Sequence, residues 1–317
     1  MIRIVGWISH NTCAFLRTGG LSVVLMVMLS GCGGIYEPER VASRLCERGP
    51  DELSRVWKEL GISSELSLAK AGDRLSVDII APPVTVSVKY PCRILRITNG
   101  TRWDWQYLMF VKRVGCWRFV GQIDLPMQKY KEPVHRFVAV APDVLCITLR
   151  ELSCSGTGCL LYEEAWYEWA EGHVRKVLRY PIEGHVFGWG MSYGRTFVAK
   201  VDRDRDCAGR ALSLTVTMME EFFREQGNEE PVPLFNESRS IVFVWDASRR
   251  AFRPDVRWSV MTTNELDGVW NDGSVEFVDR HLERLIQFLK TGTLEEQQWA
   301  GEIIKKSRVN RQRGENG

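Results

Sequence analysis

The chain has 317 residues with 42 Lys and Arg against 40 Asp and Glu, so its formal net charge is only +2. Both surplus bases, Arg3 and Arg17, precede the first acid, and the remainder is balanced. A nucleic-acid binder needs clustered bases facing phosphate, and a balanced chain without such a stripe excludes that class.

The first element is a segment with Arg3 and Arg17, no acid, and the apolar run Leu21–Leu29, followed by Ser30-Gly31-Cys32. The run is too short to span a bilayer, which takes about 20 apolar residues. A cleaved export signal has this layout: a positive start, an apolar centre and small residues before the cut. A plain secretory signal also tolerates Ser30-Gly31, with Cys32 a chance cysteine. Leu29-Ser30-Gly31-Cys32 resembles the lipobox of bacterial lipoproteins. That resemblance implies a diacylglyceryl group and palmitate-type acylation on Cys32, removal of residues 1–31, and residues 32–37 as a short tether. The bilayer is then a partner through acylated Cys32. Gly33 stands where an aspartate is the family's usual inner-membrane retention signal. The resemblance therefore implies the inner leaflet of the outer membrane in a two-membrane organism, and otherwise the outer face of the cytoplasmic membrane.

A helical segment is predicted over 38–70. Pro38 suits a first helical turn, Val41, Ala42, Leu45 and Cys46 share a face, and Gly49 ends it. A second helix from Asp51 repeats apolar residues at Leu53, Val56, Trp57 and Leu60, with Gly61 as stop. Over 71–265 the pattern becomes short alternating runs rich in β-branched and aromatic residues. These are Val84–Val88, Arg93–Ile97, Tyr107–Val111, Trp117–Ile123, Phe137–Val140, Val144–Leu149, Phe197–Val201, Leu212–Thr217 and Ile241–Trp245. Turn pairs such as Val114-Gly115 separate them. The reading is a β-rich α+β protein: an antiparallel sandwich, barrel or propeller-like body flanked by N-terminal and C-terminal helix pairs. A helical hairpin is predicted over 272–307, with a stripe of Val278, Leu282, Leu285 and Leu289 packed on the sheet, and a Thr293/Glu296 capping box opening its second helix. Residues 308–317 read as a basic, disordered tail.

The cysteines remaining after processing are Cys46, Cys92, Cys116, Cys146, Cys154, Cys159 and Cys207, an odd set, so at least one stays unpaired or pairs between chains. Cys154 with Cys159, across a Gly-rich reversal, is the best disulfide candidate, and Cys92 with Cys116 the second. No cofactor is expected, and no cysteine stands at a zinc-type spacing.

Three motifs raise chemistry. Gly190-Met191-Ser192-Tyr193-Gly194 matches a nucleophile elbow, but that device needs a helix after the serine, and a strand is predicted there; the alternative is a Gly-rich turn. Asp202, Asp204 and Asp206 begin like a calcium loop, yet Cys207 and Ser213 stand where that loop needs Gly and Glu. Trp103, Trp105, Trp166 and Trp169 are candidates for a glycan or partner platform, because flat indoles suit sugar rings; core packing is the competing role. Glu163, Glu164 and Glu168 lie in the same stretch, as a two-carboxylate glycosidase would require. The function expected is a membrane-anchored envelope binding or scaffold module, with an envelope protein or glycan as partner. The alternatives are an envelope-facing hydrolase and a glycan-binding module.

Overall fold

The structure, a computed structural model, describes residues 36–314 except 65, 67, 69–73, 85–89, 100–102, 129–131, 157, 171–172, 188–193, 206–210, 225–230 and 268–273. The lipobox, Ser192, Asp206, Cys207 and most of the run Val84–Val88 lie outside the described residues.

Two helices open the described chain, α1 (Pro38–Arg48) and α2 (Pro50–Leu60). Each has a proline in its first turn, where no backbone donor is needed, and Gly61 caps α2 in the left-handed region. A four-stranded antiparallel sheet follows: β1 (Ser76–Ile80), β2 (Cys92–Thr98), β3 (Trp105–Arg113) and β4 (Cys116–Leu125). One face, with Leu95, Ile97, Leu108 and Phe110, packs under Val41, Leu45, Leu53 and Val56 of the helices. Glu52 is buried there and ion-paired with Arg44, which lowers its carboxyl.

An eight-stranded antiparallel meander comes next: β5 (His135–Ala141), β6 (Val144–Gly156), β7 (Cys159–Ala170), β8 (His173–Phe187), β9 (Gly194–Arg205), β10 (Leu212–Arg224), β11 (Val232–Asp246) and β12 (Ala251–Pro254). The β body is thus two antiparallel sheets flanked by terminal helices, and the larger sheet does not close into a barrel. It curls, however. Arg205 of β9 donates to the Ala139 carbonyl of β5, and Arg175 of β8 donates to the Arg250 carbonyl in the β11–β12 turn. The concave side encloses Trp166, Tyr180, Phe197, Val216 and Phe243. The opposite side of β5–β8, with Ile147, Leu149, Ala165 and Tyr167, packs on the second face of the smaller sheet. Gly121, at φ +147°, allows that approach, since a Cβ there would sit 2.9 Å from Val174 Cγ2.

The last elements are α3 (Thr263–Asp267), α4 (Ser274–Thr291) and α5 (Leu294–Gly314). Thr293 and Glu296 form the expected reciprocal cap of α5. The hairpin packs on Phe222 and Phe235 at one end of β10 and β11, whereas α1 and α2 cover the other sheet. Two expectations change here. Val278 and Leu285 are buried, but Leu282 and Leu289 are exposed. The helix turns Phe277, His281 and Leu285 inward instead, with non-helical dihedrals at His281. Residues 308–314 are the end of α5 and not a disordered tail, and Arg311 is ion-paired with Asp279 of α4.

Candidate functional site

Strand alternation puts Leu214, Val216, Met218, Glu220 and Phe222 of β10 on one face, and all are buried. Glu220 is thus a carboxylate on an apolar phase. Directly opposite it in register is Glu237 of β11, one step from the stacked pair Phe222 and Phe235 at 4.7 Å. Two carboxylates facing each other would repel. The neighbouring strands supply the compensation, because Arg239 donates to Glu220 Oε2 at 2.7 Å and Arg195 to Oε1 at 3.3 Å. Arg239 reaches Glu265 of α3 at 3.4 Å and Glu237 at 3.7 Å. Burial opposes the charge on Arg239, but Glu220, Glu237 and Glu265 together outweigh it and raise the guanidinium further. Glu265 is itself fixed by a reciprocal cap with Thr262. A layer of buried charge therefore separates the concave core from the aromatic cluster under α4.

His281 of α4 sits above this layer among three phenylalanines, with ring centroids 5.0 Å from Phe222, 5.1 Å from Phe235 and 4.8 Å from Phe277. Its Nδ1 lies 3.5 Å from Glu237 Oε2, an electrostatic contact too long for a good hydrogen bond. Nε2 is buried with no hydrogen-bond partner among the described residues. Burial, then Arg280, Arg239, Arg284 and Arg195, push the imidazole down to about 3, so it is neutral. Burial also raises the Glu237 carboxyl.

Outside this pair runs an open groove of about 620 Å³ between α4 and β11. Its walls carry Arg280, Arg284, Glu283 and Gln287, and the Arg284 guanidinium lies 4.8 Å from the centre of the Phe235 ring. The groove thus presents both signs of charge and one aromatic ring. Arginines do not exchange protons near neutral pH, His281 Nε2 is buried, and no Ser, Thr or Cys lines it among the described residues. Such a surface can hold a mixed-charge partner.

The residues singled out in the sequence do not converge. Trp105 and Trp166 are buried in different cores, Trp169 is half-buried and Trp103 is exposed, so the four do not form one platform. Both faces of β3 and of β7 are covered by other layers, which draws these indoles inward. Glu164 accepts hydrogen bonds from Tyr180 and Trp166. Glu168 is buried between Arg175 and Arg250, tying β7 to the β11–β12 turn, and Glu163 alternates to the other face from Glu164. Glu164 and Glu168 share a face but stand about 13 Å apart along β7, beyond the carboxyl spacing of a glycosidase. Asp202 and Asp204 are exposed on β9, Asp202 3.2 Å from Lys200, and no metal-type cluster occurs among the described residues. Arg195, Glu220, Glu237, Arg239 and Glu265 were not foreseen. Their signal was present: charged residues on the apolar phase of β10 and β11, and a Thr262/Glu265 spacing that marks a cap.

The cysteine candidates divide. Cys92 pairs with Val111 of β3, and Cys116 lies on β4 beyond that strand. Two inter-strand spacings separate them by about 10 Å, more than a disulfide spans, so this candidate is withdrawn. Cys154 and Cys159 flank the β6–β7 reversal, are thiols here, and share a hydrogen bond; burial and that bond push Cys159 up to about 12. An external thiol oxidant is expected to take two electrons and two protons from the pair. Intact mass after oxidation and alkylation should fall short of the reduced, fully alkylated chain by two labels, and Cys154→Ser should remove that difference.

No protein-family model matches the chain, and no curated protein matches its sequence.

Proposed function

We propose that the chain is a lipid-anchored envelope protein whose folded body is a non-enzymatic binding or scaffold module. The anchor rests on Leu29-Ser30-Gly31-Cys32 and the apolar run before it. Acylated Cys32 holds the body at the inner leaflet of an outer membrane, or at the outer face of the cytoplasmic membrane where there is only one. The binding role rests on the α4–β11 groove, where Arg284, Glu283 and Gln287 are exposed beside Phe235 and His281. Walls of both signs favour a protein segment of mixed charge over an anionic polymer.

The anchor is tested by palmitate labelling in cells. Wild-type chain is expected to carry label and fractionate with membranes, and Cys32→Ser to lose the label. Equal labelling of both would refute acylation at Cys32.

A further inference from the structure

Between β12 and α3 the chain makes a tight loop that carries Val256, Trp258 and Val260 at 80%, 71% and 76% exposure. Exposed apolar side chains grouped in this way mark an interaction surface. The loop backbone is tied to β11: Asp255 N donates to the Val242 carbonyl at 2.7 Å, Val260 N to the Ser240 carbonyl at 2.9 Å, and Val242 N to Ser259 Oγ at 3.0 Å. The side chains are therefore presented on a fixed frame. Little ordering remains to be done on binding.

Val256 and Arg257, next to Trp258 in the chain, help wall a shallow hollow of about 410 Å³ together with Val244, Trp245 and Pro254. Its rim carries two compensated pairs, Arg253 with Asp246 at 3.1 Å and Arg257 with Asp255 at 2.7 Å. An apolar knob thus stands next to an apolar hole, inside a rim of no net charge. Those are the terms of a two-fold contact, in which one patch must complement itself in shape and carry both signs equally. An anionic lipid surface finds no net positive charge here to attract it.

We infer that this loop is a self-association surface, in which Trp258 of one copy enters the hollow beside β12 of a second copy. The patch is smaller than a permanent dimer interface, so the dimer is reversible and concentration-dependent. The inference does not depend on lipid anchoring.

Sedimentation equilibrium of the purified full chain, with oxidative cross-linking of Val256→Cys, tests it. A species of twice the monomer mass is expected to grow with concentration. Trp258→Asp should weaken it at least tenfold, and Trp258→Phe should largely preserve it. Both positions are exposed, so the variants keep the fold, which the circular dichroism spectrum verifies. A chain that stays monomeric and uncross-linked at every concentration overturns the inference, as does a dimer unaffected by Trp258→Asp. Binding to phosphatidylglycerol vesicles that Trp258→Asp abolishes, without any dimer, would assign the loop to a membrane and likewise overturn it.

Discussion

Acidification is expected to destabilise the native fold through His281 by about 1.4 kcal/mol per pH unit. The window runs from the ordinary imidazole value of 6.5 down to about 3, where the native group finally protonates. Within it the unfolded chain binds a proton that the folded chain refuses, so stability rises with pH. The folded state refuses because Phe222, Phe235 and Phe277 exclude water, and because Arg280 and Arg284 on α4, Arg239 on β11 and Arg195 on β9 repel a second cation. Glu237 acts in the opposite sense. Its carboxyl is raised, so the folded chain takes that proton at higher pH than the unfolded chain, and part of the loss is offset. Urea titrations of wild type and His281→Leu at pH 7, 5.5 and 4.5 isolate the effect from carboxylates elsewhere, such as Glu52, whose lowered value also costs stability in acid. The stability difference between the two proteins should move toward the variant as pH falls. Parallel pH profiles would mean that His281 titrates normally.

Glu220→Ala should cost about 3–5 kcal/mol, the usual penalty for leaving a buried charge without its partner. Arg195 and Arg239 would face each other across the vacated position with nothing between them. Combining Glu220→Leu with Arg195→Leu should recover much of the loss, because one of the two guanidinium groups that Glu220 balances is gone and Arg239 keeps Glu265 and Glu237. That recovery separates a charge-balance effect from a packing effect. If Glu220→Ala unfolds at the wild-type urea midpoint, the three side chains are not a buried ion-paired layer.

The elements legible in the sequence are those that local chemistry dictates. Pro38, Gly49 and Gly61 bound α1 and α2, Val114-Gly115 turns β3 into β4, and Thr293 with Glu296 starts α5. The strands run longer than the alternation indicates, and β10 and β11 do so where charge enters. Leu212–Thr217 extends to Arg224, past the inward Glu220, and Ile241–Trp245 begins at Val232, before the inward Glu237 and Arg239. A lone acid on the apolar phase looks like the end of a strand, since its compensation comes from other strands. Only the register of β9, β10 and β11 brings Arg195, Glu220 and Arg239 together. The same limit hid the groove, which needs α4 laid over β11. Trp105 and Trp166 illustrate the converse case. Period-two spacing placed each on a face, but whether that face meets water depends on a layer from elsewhere in the chain.

The most direct test of the central claim is a photo-cross-linking residue placed at Gln287 on the groove wall, in the membrane-anchored chain inside cells. A discrete adduct with an envelope protein is expected, absent when the same residue is placed at exposed Val114 and lost with Arg284→Glu. Adducts that form equally at both positions, or none at Gln287, would contradict it.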